Sequence, residues 1–421
     1  MRIAVVGAGV AGLYSAWHLA RRHDVVLLER NGRVGGHTDT HRIDVEPAAG
    51  TLAVDTGFIV FNRPHYPLFS RWMEQLGVES QPTDMSFGVH CRVSGLEYNA
   101  TDLAGLFCQR RNLVRPRFLG MVRDIVRFYR EAPGWLQTLD ERTTLGEWLE
   151  RAGMGEAFAR DHLVPMAAAL WSSPGESILE FPMKYMLEFM HNHDMLQAAG
   201  RPEWRTVRGG SRQYVQAALA SFAGRVRTRA RVVGVSRLRG GGVRVRTDDD
   251  AADFDAAVLA CHADQALALI EAPTRAERSV LGAFRYQPND AVLHTDSRRM
   301  PRRPRAWASW NVRRDPDAPE RAGISYWMNR LQRLPGTTPL IVSLNQTEAI
   351  DPARILVRRS YRHPVYTPAS RAAQRRLPEI NGADRLWYCG AAWGWGFHED
   401  AVRSAGAVID GIERKALSHA A

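Results

Sequence analysis

The sequence predicts an α/β fold: a parallel strand–helix–strand unit opens the chain, and mixed α+β segments are inserted into it. Three observations predict it. Arg2 to Val6 is a short apolar run of strand length, and the turn from Gly7 to Gly12 follows it with no linker. Leu13, Ala16, Trp17, Leu19 and Ala20 then recur at helical spacing, and a second buried-strand run, Val25 to Leu28, closes on Glu29. Near the other end, Leu386 to Cys389 is again a buried strand; it ends at Gly390 and leads into an alanine-rich helix over 401–415.

Each part of the opening unit has a physical task. Gly7 allows a tight turn, Gly9 lets the backbone approach a pyrophosphate, and Gly12 lets the helix pack closely on the strand. Free N–H groups at the helix start, on Val10 and Ala11, attract phosphate charge. A carboxylate roughly 20 residues further on, here Glu29, accepts ribose hydroxyls. A glycine-rich loop alone would account for Gly7 to Gly12, but not for the strand, helix and acid around it. The unit therefore predicts an adenine dinucleotide site.

Bulk properties narrow the class. At 421 residues, with 45% hydrophobic and 24% charged residues, the chain suits a soluble protein of two domains. No apolar run approaches the roughly 20 residues of a membrane span. The start reads as a buried strand rather than a signal peptide. Cys91, Cys108, Cys261 and Cys389 are scattered without ligand spacing, so no metal and no disulfide framework is expected, and the cytoplasm is the expected compartment. The net charge of +11 is nearly all arginine; Lys184 and Lys415 are the only lysines. No nucleic-acid motif accompanies it, so no nucleic-acid partner is expected. A basic surface does favour acidic partners, anionic lipid headgroups among them.

After Glu29 and Arg30 the chain continues through Arg33, the pair Gly35-Gly36 and His37, and then through Asp55, Thr56, Gly57 and Phe58 in an extended run. An acidic end to strand two, a glycine pair beside an arginine, and a downstream Asp-x-Gly resemble the flavin-containing amine oxidase superfamily, which includes phytoene-type desaturases and protoporphyrinogen oxidase. The resemblance covers nearly the whole chain. It implies a Rossmann-type FAD-binding domain in three discontinuous segments (1–65, 201–263 and 384–421). A mixed α+β substrate domain would have a helical part at 66–200 and a sheet part at 264–383.

Periodicity within these segments gives helices over 67–76, 116–131, 144–151 and 181–199. The second has Phe118, Met121, Val122, Ile125 and Phe128 on one side and arginines largely elsewhere, as an ordinary amphipathic cap or an interfacial helix docking on anionic membrane would. His191 and His193 fall late in the last of these helices. They are helix-surface or core groups, or else they face a substrate tunnel. Gly209, Gly210 and Ser211 open a further helix, and strand runs at 226–235, 243–247 and 254–261 follow. The resemblance assigns Val232 or Val233 to an adenine contact. Strands are expected at 291–294, 306–312, 324–328, 340–344 and 355–361, with the arginine-rich 298–305 as a solvated turn. Tyr361 and His363 end the last strand beside a site edge.

In the resembled family the closing strand–glycine–helix unit meets the flavin end of FAD. Gly390, Trp395, Gly396, Phe397, His398 and Ala401 are the matching positions, with Trp393 or Trp395 walling the pocket. Most members carry an acid after the strand's glycine, and here the residue is Ala391. The chain looks closest to a bacterial branch encoded beside cyclopropane-fatty-acyl-phospholipid-synthase-like methyltransferases, some relatives of which desaturate methylated acyl chains. That likeness implies hydride removal from a lipophilic substrate, desaturating or isomerising a fatty acyl chain such as one on phospholipid, at the inner face of the membrane. His191, His193, Tyr361 and His363 are the candidates for proton transfer or positioning. Amine oxidation is the alternative, although neither lysine stands where that chemistry usually places one. A non-catalytic redox partner is the third reading.

Overall fold

In a computed structural model, which describes residues 1–171, 178–197, 200–315 and 318–420, the chain forms two main sheets. The first is parallel and five-stranded, ordered Arg225–Arg227, Asp24–Leu28, Arg2–Val6, Ala256–Leu259, Leu386–Tyr388. Ile3 lies opposite Val25 on one side and Ala256 on the other. Strands distant in sequence thus meet in one Rossmann-type sheet, whose four strands inside the exposed edge Arg225–Arg227 are buried as their near-continuous apolar runs require. The helices Val10–Leu19 and His398–Ala420 pack on each other over it. The run read as one strand over 226–235 is divided. Arg225–Arg227 edges the parallel sheet, the chain turns at Arg229 with φ 55°, and Val232–Arg237 joins a three-stranded antiparallel sheet.

The second sheet is mixed and seven-stranded, ordered Ile355–Val365, Arg285–His294, Ile341–Leu344, Ala318–Trp327, Trp310–Asp315, Phe87–Cys91, Leu96–Asn99. Every pairing in it is antiparallel except that of Trp310–Asp315 with Phe87–Cys91. The last two strands come from the stretch that periodicity marked only as helical. Their short runs interrupt no helical pattern; pairing with Trp310–Asp315 defines Phe87–Cys91, and pairing with Phe87–Cys91 defines Leu96–Asn99. That strand starts at Trp310 rather than 306, because Pro304–Ala306 is a 3-10 turn. Arg299 in the expected solvated turn is buried instead, donating to Gln346 Oε1 at 2.6 Å and to Asp315 at 3.2 Å.

A helical layer covers one end of this sheet. Pro116–Thr138 runs past the expected end, through Pro133. Leu145–Arg151 is closed by a capping box of Thr144 and Glu147. Met183–Asn192 is shorter than the pattern over 181–199: the chain leaves it at Asp194, with φ 52°, and residues 198–199 lie outside those described. Among the described residues, no helix is long and apolar enough to cross a membrane.

Candidate active site

A cavity of about 1360 Å³ is lined from both sheets and runs from the opening glycine turn to the start of the last helix. At the glycine turn, the three glycines differ in kind. Gly7 holds φ +97°, and a Cβ there would meet Ala260 O at 2.9 Å. A Cβ on Gly12 would lie 1.9 Å from Gly7 O, so Gly12 is needed for packing and does not line the cavity. A Cβ on Gly9 would meet nothing within 4 Å; it would project into open cavity. The helix starting at Val10 has no side-chain cap and no acid in its first turn, so its first N–H groups remain for an anion.

Glu29 sits at the carboxyl end of the neighbouring strand. Its carboxylate is oriented by Ala8 N (3.0 Å), Asn31 N (2.9 Å) and Asn31 Nδ2 (2.8 Å). The second glycine turn is tied to the first by Gly35 N donating to Ala8 O at 2.8 Å. Arg33 fastens that turn from inside: it donates to Gly36 O (2.9 Å) and Thr38 O (3.1 Å) and pairs with Asp39 (3.2 Å). Burial would raise the Asp39 carboxyl, but hydrogen bonds from His41 and Arg359 and the nearby Arg33 outweigh it and hold it well below the usual range.

Asp55 joins the Asp-Thr-Gly run to the glycine-opened helix Arg212–Ala220. It is fully buried and accepts from Ser211 N (3.0 Å), Ser211 Oγ (2.8 Å), Thr40 Oγ1 (2.5 Å) and Gln332 Nε2 (2.9 Å). Burial pushes its pKa up to about 6 against those bonds. This clamp sets the place of Thr56, Gly57 and Phe58 on the cavity wall.

Mid-cavity, four aromatic rings gather. His37 stacks on His363 with ring centroids 5.3 Å apart, stands 5.0 Å from Tyr361 and 6.1 Å from His262. Burial pushes His37 down to about 4 and His363 to about 3, so both imidazoles are neutral. The tautomer of His363 follows from its neighbours. Asn345 Nδ2 donates to Asn289 Oδ1 at 2.6 Å, which leaves Asn289 Nδ2 to donate to His363 Nδ1 at 2.8 Å. His363 therefore carries its proton on Nε2 and acts as a donor. Tyr361 OH is 2.9 Å from Thr56 Oγ1, and burial pushes it up to about 12.

At the far end, the His398 ring stacks on Phe58 at 3.5 Å, with Nε2 3.1 Å from Tyr214 OH. The 393–397 loop is pinned at Gly394 O by Tyr185 OH (2.5 Å) and Gln374 Nε2 (2.8 Å), and Trp171 Nε1 donates to Trp395 O at 3.1 Å. Glu399 is turned away to cap the helix Pro67–Gln75 through Leu68 N and Phe69 N. Asp400 accepts from Phe397 N.

Apart from Gly12, all the residues expected to hold the nucleotide line this cavity, Arg30, Val232, Val233, Gly390, Gly396 and Ala401 included. Tyr361 and His363 line it too. His191 and His193 do not. His191 is exposed on the helix surface. His193 is buried behind the wall, its ring 4.0 Å from Phe189 and its Nδ1 2.9 Å from Phe189 O. The helix ends between the two, so the pair never shares a face toward the cavity. His262, Tyr286, Trp310 and Tyr326 line the cavity without having been singled out. The one available signal was that His262 follows a buried strand at the carboxyl edge of a parallel sheet, where ligands bind.

The fold and this site define a dinucleotide-binding α/β protein with a second, aromatic compartment continuous with the nucleotide cleft. The model of the flavin-containing amine oxidoreductases matches residues 10–408, and the chain belongs to that family. A provisionally named flavin-containing monoamine oxidase of Mycobacterium tuberculosis is 29% identical over 270 residues, covering 61% of this chain and 56% of that protein. The match thus spans little more than half the relative's length. Among solved structures, the CLA-producing fatty acid isomerase from P. acnes is 15% identical with a TM-score of 0.68, covering 98% of each chain. Cyclohexylamine oxidase from Brevibacterium oxydans IH-35A is also 15% identical, with a TM-score of 0.65, covering 98% of this chain and 99% of that one. At these identities the likeness is one of fold.

FAD is the cofactor that goes with this family. The residues present fit it. The open space before Gly9 and the uncapped helix start suit a diphosphate, and the Glu29 carboxylate stands where a ribose binds. His262 Nδ1, Tyr366 OH and Trp395 Nε1 are buried without a partner among the described residues, on the wall of the same cavity. Buried polar atoms of this kind call for a ligand with polar edges.

Proposed function

We propose that the protein is an FAD-dependent oxidoreductase that removes hydride from a C–H bond of a lipophilic substrate, a fatty acyl chain. The observation that carries this reading is the composition of the wall beyond the nucleotide. Leu170, Trp171, Trp310, Tyr326, Leu344 and Phe397 line it. Among the described lining residues there is no lysine, and the one carboxylate, Glu29, belongs to the nucleotide end. Such a wall holds an apolar chain and offers no carboxylate to pair with a substrate ammonium.

When bound, FAD supplies the two-electron acceptor. The chain's own residues do the rest. The neutral Nε2–H of His363 and the Tyr361 hydroxyl position a polar end of the substrate in mid-cavity. The neutral His37 ring, whose nitrogens make no hydrogen bond among the described residues, offers a lone pair that can take the proton left when a C–H bond becomes C=C. Trp171, Trp395 and Phe397 keep water from that point. The acyl reading, including a methylated and phospholipid-bound chain, draws on the sequence likeness to the methyltransferase-linked branch.

Amine oxidation is the second reading, favoured by the name of the M. tuberculosis relative; the uncharged aromatic cluster would receive an amine in its neutral form. Anaerobic mixing of the flavin-loaded protein with candidate lipids and amines, followed by loss of flavin absorbance near ~450 nm, separates the two. Bleaching by acyl lipids supports the first reading. Bleaching by simple amines alone would overturn it in favour of the second. A flavin silent to both, but reduced by a partner protein, would point to a redox relay.

A further inference from the structure

A second cavity, of about 730 Å³, lies at the outer edge of the seven-stranded sheet, away from the glycine turns. Arg92, Arg110, Arg111, Arg302 and Arg303 line it, against a single carboxylate, Glu97. Glu97 is buried and already engaged: it accepts from Arg302 N (3.1 Å) and Arg303 N (3.2 Å) and pairs with the Arg303 guanidinium at 3.3 Å. Arg92 is paired with Asp315 and Arg111 donates to Gly95 O. Among the described residues, no partner stands against the guanidinium of Arg110 or Arg302. Five cations thus surround a space that one internal anion does not neutralise.

The floor supplies an independent observation. His90 and Gln109 are each 4% exposed, and both line this cavity. His90 Nε2 faces Glu97 at 3.4 Å and so carries the proton, which leaves Nδ1 as a lone pair; that atom is buried without a partner among the described residues. Gln109 Nε2 donates to Gly95 O at 2.9 Å, and its Oε1 is likewise buried and unpartnered. Two acceptors below and cationic donors around them call for an anion that itself carries hydroxyl donors.

The rim indicates where such an anion is presented. The 3-10 turn Arg110–Leu113 that brings Arg110 and Arg111 to the cavity exposes Leu113 and Val114, 55% and 80% accessible. The helix that follows buries Phe118, Met121 and Phe128 but exposes Leu119 and Val126, two turns apart, beside Arg123 and Arg130. Exposed apolar side chains interleaved with arginines match an anionic bilayer surface in charge and in polarity.

We propose that this cavity binds the phosphoglycerol headgroup of an anionic phospholipid, with the arginines on its phosphate and the glycerol hydroxyls on His90 and Gln109, while Leu113 and Val114 enter the lipid. The protein thereby docks on a membrane at this face. The inference stands apart from the proposed reaction, because docking needs no turnover.

Co-sedimentation of the flavin-loaded protein with vesicles of phosphatidylcholine, with and without phosphatidylglycerol, tests it. The wild-type protein is expected to pellet only with phosphatidylglycerol and to be released by salt. R110Q/R302Q should bind about thirtyfold more weakly, since each basic residue near such a surface contributes about fivefold. L113S/V114S keeps the charge and should also lose vesicles while still binding soluble glycerol 1-phosphate. All four positions are exposed, so an unchanged melting temperature is expected and serves as the folding control. A wild-type protein that ignores phosphatidylglycerol vesicles, or R110Q/R302Q that pellets like wild type, overturns the proposal. So does a protein that takes glycerol 1-phosphate or inorganic phosphate from solution but no vesicle.

Discussion

Gly9 and Gly12 belong to one motif, three residues apart, yet the structure gives them opposite roles, and a pair of alanine substitutions separates these. In G9A the methyl projects about 1.5 Å beyond Cα into space where nothing protein lies within 4 Å. The backbone at Gly9, φ −71° and ψ −178°, is open to any residue. Removing a glycine's unfolded-state freedom stabilises by about 0.4–1 kcal/mol, and alanine's poor performance at a helix N-cap costs a comparable amount. The apoprotein should therefore melt as wild type. The methyl nonetheless occupies the approach of the diphosphate, and losing one charge-assisted hydrogen bond there costs about 1.5–3 kcal/mol, or ten- to more than a hundredfold in Kd. In G12A the Cβ would stand 1.9 Å from Gly7 O, so backbone must move, at about 1–3 kcal/mol of overpacking even without cofactor. Thermal unfolding of the two apoproteins, with FAD uptake measured by gel filtration and flavin absorbance, makes the comparison. Wild-type FAD affinity in G9A, or a wild-type melting temperature for G12A apoprotein, would refute the assignment of the diphosphate to this turn.

Three further outcomes are expected. His363→Phe keeps the ring stack but removes the Nε2–H, and should slow flavin reduction by the working substrate about ten- to a hundredfold without lowering FAD content; an unchanged rate would remove His363 from the site's chemistry. Asp55→Asn leaves an amide facing Gln332 Nε2 and should cost about 1–3 kcal/mol, seen as a lower melting temperature and looser FAD, because the clamp on Ser211 sets the Thr56–Phe58 wall. In acid, His262, His363 and His398, pushed by burial to about 3, and His37, to about 4, take up protons more readily when unfolded. Their contribution is full above the unfolded value of about 6.5 and is lost as pH falls below it. Asp55 and Asp400, raised to about 6, have the opposite sign, gaining stability as they protonate. Four histidines outweigh two carboxylates, so calorimetry of the apoprotein should show the melting temperature falling from about pH 6.5 to about pH 5; a rise would contradict the neutral-histidine description.

Local, contiguous physics in this chain is legible in the sequence. The turn from Gly7 to Gly12 and the strand that ends on Glu29 work through residues adjacent in sequence, so spacing marked the nucleotide turn, while the family resemblance placed the Gly390 closure at the flavin end. The parallel sheet followed from runs such as Val25 to Leu28, which only two covered faces can bury. What the tertiary structure decided depends on partners far apart in the chain. Phe87–Cys91 becomes a strand because Trp310–Asp315 lies beside it, and His363 becomes a donor because Asn345 orients Asn289 behind it. His193 faces away because the helix stops at Asn192, an ending that helical periodicity did not mark. The five-arginine cavity is invisible in sequence for the same reason: Arg92, Arg110 and Arg302 read singly as solvated charges. Contact between segments some two hundred residues apart is set by burial of the sheets and helices between them, and no local pattern encodes it.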